Sequence, residues 1–230
     1  MAKFDPEKFD AFVLAHEIVG FHEEGFVLAC GRRSHWYANW RNLTRDVASF
    51  STLADFVLDF AYDHKLSPTF FYGVPEGASP LGLITQYKYI MERGGSAHGF
   101  PLIMGRKSPK GHGSPQDRFF IGNPHGNCVV LEDVTTTGDS LLAEVKRFVD
   151  IPQVTLLGTI SLLGRMERRS DTLSVKEALK ERGVAHYSLT TAERILPLAY
   201  RQSHTREVIG RTIEEEYREH GVIPLRLLNP

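Results

Sequence analysis

Residues 128–140 read Cys-Val-Val-Leu-Glu-Asp-Val-Thr-Thr-Thr-Gly-Asp-Ser: an apolar run, two acids, one apolar residue, then a threonine-rich turn. In an open α/β sheet, ligands collect beyond the carboxyl ends of the strands. Loops there lead into helix N-termini whose free N–H groups favour anions. Thr135, Thr136, Thr137, Gly138, Asp139 and Ser140 offer backbone N–H groups and hydroxyls to a phosphate, and Gly138 allows close backbone approach. Glu132 and Asp133 can accept hydrogen bonds from vicinal hydroxyls. A phosphate beside a sugar diol is a ribose 5-phosphate. A Thr-Gly turn alone would be a helix cap; the complete pattern says more. Neither GxxxxGK[ST] nor a strand followed by GxGxxG occurs elsewhere in the chain.

A second chemical stretch is Arg106-Lys107-Ser108-Pro109-Lys110-Gly111-His112-Gly113. Its cations suit an anionic leaving group, because Arg and Lys make charge-assisted hydrogen bonds that strengthen as negative charge develops. The ten histidines show no HxH or HExxH spacing, so no metal-ligand set is read from them. His16, His64 and His186 read as surface or structural residues, and only His112 takes a functional role.

These residues need a scaffold. Asp5-Pro6-Glu7 reads as an N-cap, a proline at the first helical position and an acid in the first turn, opening a helix that stops near Gly20. Short strands are expected at 26–28 and 36–40 around the basic turn Gly31-Arg32-Arg33-Ser34, followed by a helix over 44–65. Strands at 69–72, 100–104, 128–134, 154–163 and 185–189 then alternate with helices over 78–93, 139–149, 174–182 and 191–201. Near-continuous apolar strands separated by helices indicate βαβ units, hence an α/β fold with a doubly wound, mainly parallel sheet. Residues 105–126 form a long Gly/Pro-rich loop, expected to be mobile, with a possible short strand at 118–121. From Thr205 a charged helix and an extended end could pack on the domain or on a partner subunit. The run Glu214-Glu215-Glu216 reads as a solvated face. Of Trp36, Tyr37 and Trp40, alternation places at least two in the core.

At 230 residues, 42% hydrophobic and 24% charged, the chain is long enough for one large α/β domain with attachments. A formal net charge of -1 provides no general footprint for nucleic acid or an anionic membrane, so neither is expected as a partner. The two cysteines, Cys30 and Cys128, form no CxxC pair or disulfide framework. No basic, apolar leader and no run of about eighteen apolar residues occurs, and a cytoplasmic protein is expected.

The acid pair with its threonine turn resembles the phosphoribosyl-diphosphate signature of the type I phosphoribosyltransferases. The form RKxxKxHG at 106–113 resembles the catalytic loop of the orotate phosphoribosyltransferases within that class. GRRSHWYANWR at 31–41 is similar to that family's GRxSPxYxxxR segment, FYGVPEGA at 71–78 to its diphosphate-binding turn, and SLLGRME at 161–167 to its LDRxE strand end. The matches run in the family's order from about residue 26 to 167.

The resemblance implies that orotate and phosphoribosyl diphosphate give orotidine 5′-phosphate and diphosphate, with Mg²⁺ bridging ligand oxygens, in a homodimer. It implies a phosphoribosyltransferase domain over 1–204, whose first 43 residues form a hood beside the base, and a helical tail over 205–230. Residues 135–140 would hold the 5′-phosphate, while Glu132 and Asp133 hold the ribose. Arg106, Lys107, Lys110 and His112 would clamp the diphosphate, partly across the dimer interface, with Lys110, His112 and Asp133 taking catalytic parts. Thr136 and Arg165 would face the base. The chain departs from the pattern at Ala29, where the family often has lysine, and at His35, Gly164 and Asp139, where it has proline, aspartate and a small residue. Asp139 adds a charge about where phosphate should sit, tolerable if its side chain caps the following helix and points outward. With Ala29 in place, cations for a carboxylated pyrimidine would have to come from Arg165, Arg32 or Arg33. Two rivals stay open: transfer to another nucleobase, and a non-catalytic regulator that only binds phosphoribosyl diphosphate.

Overall fold

The computed structural model describes residues 3–93, 99–112 and 118–228, so Gly113 of the basic loop and residues 229–230 lie outside the described residues. Helix α1 (Pro6–Ala15) is capped by the Asp5 carboxylate, which accepts from the N–H groups of Glu7 and Lys8 at 3.0 and 3.1 Å. It ends before Gly20 because Glu17 turns left-handed (φ 50°) and Ile18 is fully buried. From Val19 the chain is strand β1 (Val19–Val27), paired antiparallel with β2 (Arg33–Ala38). The hood hairpin is therefore longer than the two short strands expected. In β2 and just beyond, Ser34, Trp36, Ala38 and Trp40 alternate inward, which puts both tryptophans in the core and leaves Tyr37 half-exposed. A 3-10 turn (Trp40–Arg45) leads to α2 (Val47–Asp63), capped by Asp46.

Then the alternation sets in. It runs through β3 (Phe70–Gly73), α3 (Ser79–Glu92), a two-stranded arm of β4 (Met104–Gly105) and β5 (Phe120–Ile121), β6 (Gly126–Thr135) and α4 (Asp139–Val149). It continues with β7 (Val154–Gly164), α5 (Val175–Lys180), β8 (His186–Thr191), α6 (Ala192–Gln202) and α7 (Glu207–His220). The central sheet is parallel, in the order β3-β6-β7-β8. Successive strand side chains point to opposite faces, and here both faces are covered. Phe70, Tyr72, Cys128 and Val130 pack against α4 and α5, whereas Phe71, Val129, Leu131 and Ile160 join the core built with the hood, α2 and α6.

The strand expected at 100–104 is not part of this sheet. Only Met104 and Gly105 pair, and they pair with β5. The free edge of β3 is met instead by Gln86 of α3, whose side-chain oxygen accepts from Phe71 N–H (3.0 Å) and whose amide donates to the carbonyls of Thr69 (3.2 Å) and Pro101 (3.0 Å). One side chain thus satisfies an edge that a further strand would otherwise cover.

The tail packs on the domain. Tyr217 donates its hydroxyl to the Arg165 carbonyl at 2.8 Å, and Val222 N–H donates to the Met166 carbonyl at 2.8 Å. The acidic run is only partly solvated: Glu216 accepts from the His35 N–H (3.0 Å) and contacts its Nδ1 (2.5 Å), while Glu214 accepts from the N–H groups of Leu227 and Leu228. Folding brings the hood and the tail together, which no local pattern announces. No helix among the described residues is long and apolar enough to cross a membrane.

Candidate active site

Strand β6 carries Glu132 and Asp133 at its carboxyl end, and the turn then enters α4 through Gly138, which is left-handed (φ 70°) at the N-cap. A Cβ there would lie 2.8 Å from Val175, so both conformation and space require glycine. Opposite, Gly77 lies so close to Asp133 that a Cβ would sit 2.5 Å from its carboxylate oxygen. Between these turns and the hood is a cavity of about 640 Å³, lined by Glu132, Asp133, residues 136–140, the Pro75–Gly77 turn, Lys107 and Arg165. Its hood wall presents Phe26 and Tyr37, packed edge to face at 5.2 Å, together with Ala29 and Arg41.

Thr135 stands apart from the other turn residues. Its side chain is buried, directed at Ser161 (3.4 Å), and away from the cavity. This follows from the strand period, since Thr135 is still within β6. Arg106, Lys110 and His112 do not line the cavity either, so among the described residues of the basic loop only Lys107 does. Lys107 contacts Glu76 at 3.5 Å, an exposed pair that contributes little to stability. The loop leaves the domain as an arm: Arg106 N–H donates to the Phe119 carbonyl (2.9 Å) and Lys110 N–H to that of Arg118 (2.8 Å), continuing the β4–β5 pairing.

The two acids differ in setting. Glu132 is buried, whereas Asp133 is half-buried and accepts from Val134 N–H at 2.9 Å. Burial pushes the Glu132 carboxyl well above the usual carboxylate range, and the neighbouring Asp133 charge pushes it the same way. A folded-state pKa above the unfolded value means the folded chain binds the extra proton. Stability from this group is therefore complete below the unfolded pKa and is lost as pH rises toward the folded one. We expect Glu132→Gln to flatten that decline: urea midpoints of the two proteins should converge near about pH 4 and separate toward neutrality, the variant being the more stable. Parallel curves would count against a protonated Glu132.

The cations fall differently from expectation. Arg165 reaches the cavity wall but is buried, and its guanidinium is committed: Nε donates to Glu167 (2.7 Å), one Nη to the Ser34 hydroxyl (2.8 Å), and the plane lies 3.9 Å over Trp36. Arg32 is also paired with Glu167, at 3.3 Å, and Arg33 donates to the Glu24 carbonyl within the hairpin. Arg41, which closes the GRRSHWYANWR segment, lines the cavity and makes no ion pair with another described residue. The segment itself was the available signal for it. Asp139 does not cap α4; it accepts from the Thr137 hydroxyl (2.7 Å) and from Arg169 (2.9 Å), a residue that no motif singled out.

Parallel sheet, hood hairpin and acid-pair turn together define the type I phosphoribosyltransferase class. The solved orotate phosphoribosyltransferase of Francisella tularensis superposes with a TM-score of 0.68 at 17% identity, covering 96% of this chain and 98% of that one. Among sequences, the orotate phosphoribosyltransferase of Leptospira biflexa is 30% identical over 155 residues, covering 67% of this chain and 81% of that protein. The chain belongs to the orotate phosphoribosyltransferase family. The enzyme of that name from Aquifex aeolicus matches along its whole length, 24% identical over 196 residues and 85% of this chain. No protein-family model matches.

Proposed function

We propose that the chain transfers the phosphoribosyl group of phosphoribosyl diphosphate to orotate, forming orotidine 5′-phosphate and diphosphate in pyrimidine nucleotide synthesis in the cytoplasm. What carries this reading is convergence: acid pair, phosphate turn, Pro75–Gly77 turn and hood line a single cavity. Residues 136–140 would take the 5′-phosphate largely through N–H groups, with Thr135 supporting the turn from below. Asp133 and Glu132 would hold the ribose hydroxyls. Orotate would lie against Phe26 and Tyr37 near Thr136, with Arg41 the cation best placed for its carboxylate and Arg165 shaping the pocket from behind. Bond breaking at the anomeric carbon running ahead of attack leaves the protein mainly positioning and charge stabilisation to supply.

Among the described residues, no group of three or more His, Cys, Asp or Glu side chains is arranged to hold a metal. Mg²⁺ commonly takes one or two protein carboxylates and completes its shell with phosphate and water oxygens. Asp133, half-buried at the cavity, fits that mode with one carboxylate. When bound, such an ion offsets charge on the departing diphosphate. Arg106, Lys107, Lys110 and His112 would serve the same charge, partly from the second subunit of a homodimer. In support of a dimer, Tyr87 and Met91, one turn apart on α3, and Leu102 are each more than half exposed.

Purified protein with Mg²⁺, phosphoribosyl diphosphate and a panel of bases tests the assignment. Orotate should be consumed with diphosphate release. Turnover of a purine alone would overturn orotate as the base, and binding without turnover would point to a regulator.

A further inference from the structure

Asp139 places a carboxylate on the turn that should receive a 5′-phosphate, and its partner comes from 30 residues downstream. Arg169, in the loop after β7, donates from one Nη to both Asp139 Oδ1 (2.9 Å) and the Thr137 carbonyl (2.5 Å). Its Nε donates to Asp171 Oδ2 at 3.2 Å. The Thr137 hydroxyl donates to the other Asp139 oxygen at 2.7 Å. The arginine is the fixed member of the pair: its side chain is 15% exposed against 67% for Asp139. Its backbone is pinned at both polar groups, N–H to the Leu173 carbonyl (2.8 Å) and carbonyl from Thr172 N–H (3.1 Å).

The Thr137 hydroxyl, and Arg169 with it, hold the Asp139 carboxyl below the usual carboxylate range, so it is charged at neutral pH. An uncompensated anion there would repel a phosphate from the N–H groups of the turn. A fixed negative charge beside a helix N-terminus competes with an incoming anion for the dipole and the free N–H groups.

We propose that Arg169 is a positioning residue for the 5′-phosphate: it offsets the charge of Asp139, keeping the turn able to accept an anion. This rests on reading the cavity as a phosphoribosyl diphosphate site. Arg169 acts through the turn, and the substitution of aspartate into the turn and the arginine that answers it form one functional unit.

A double-mutant cycle separates this from a merely structural role. Arg169→Ala, Arg169→Lys, Asp139→Ala and the Arg169→Ala/Asp139→Ala pair are compared by KM for phosphoribosyl diphosphate, by kcat, and by calorimetric titration with inorganic phosphate. Arg169→Ala should raise KM and the phosphate Kd by about tenfold or more, with kcat changing far less. Arg169→Lys, which keeps the charge but not the fork, should fall between the two. Asp139→Ala should bind phosphate at least as tightly as the parent, and the double variant should return to within about threefold of it. Unchanged binding in Arg169→Ala, or a double variant as weak as Arg169→Ala, would overturn the proposal. Phosphate titration needs no base and no turnover. A parent that binds phosphate but ignores orotate would therefore refute the activity while the variants' phosphate titrations still decide Arg169, and a parent that binds no phosphate would overturn the proposal while turnover with orotate decides the activity.

Discussion

Lys110→Ala is expected to lower kcat for orotate phosphoribosylation by about two to three orders of magnitude, the usual loss when one donor to the developing charge is removed. Lys110 lies on the arm that joins β4 to β5, and its backbone N–H is already used, donating to the Arg118 carbonyl at 2.8 Å. That bond does not depend on the side chain, so the arm should keep its path and the thermal midpoint should stay where it is. The loss should fall mainly on kcat, because a cation that meets charge developing on diphosphate contributes more in the transition state than in the ground state. Lys107, which already lines the cavity beside Glu76, should show the opposite balance on truncation, with the larger change in KM. Steady-state rates with saturating orotate settle the matter, and an Arg/Lys arm without a catalytic part would leave kcat of the Lys110 variant untouched.

The second large effect concerns stability. Glu167→Ala should cost about 3–5 kcal/mol, since removing one member of a buried ion pair leaves the other charge uncompensated. Glu167 is 5% exposed and Arg165 is 2% exposed. The carboxylate accepts from Arg165 Nε at 2.7 Å with one oxygen and meets Arg32 at 3.3 Å with the other, so its loss strands the buried Arg165 and also removes the partner of the partly exposed Arg32. Stacking on Trp36 at 3.9 Å and the Ser34 hydroxyl at 2.8 Å remain, yet neither supplies a negative charge. For a chain of this size the melting midpoint should drop by roughly 6–20 °C. Replacing the pair together, Arg165→Met with Glu167→Leu, should cost less than Glu167→Ala, because an apolar pair needs no counter-charge. Urea titrations showing a loss under about 1 kcal/mol would mean that Arg165 is compensated elsewhere.

Much of the fold is legible in local sequence. The parallel sheet followed from apolar runs such as Phe70–Gly73, because a strand covered on both faces needs no polar alternation. The α1 start followed from Asp5 and Pro6, whose capping effect reaches only three residues. The end of α1 is less legible: Gly20 reads as a stop, but the left-handed turn at Glu17 and the burial of Ile18 end the helix first. The acids at 214–216 looked solvated because they form a run on one charged helix, although two of them are held by the hood and by the extended end.

The sequence by itself determined the chemistry of the phosphate turn, since Glu132, Asp133 and the residues to Ser140 are neighbours whose strand-to-helix geometry is local. It also determined which basic residues travel together on the loop. Tertiary structure alone decided which cations are free to meet a ligand. Arg165 finds Glu167 two positions away but Ser34 131 positions away; Asp139 finds Arg169 across 30 and His35 finds Glu216 across 181. Periodicity, caps and turns act over a few residues, whereas an ion pair depends on which buried charge lies within about 4 Å once the layers have packed. That distance tied Arg165 and Arg32 to Glu167, left Arg41 at the cavity wall without an ion pair to another described residue, and gave the unexpected Asp139 its counter-charge.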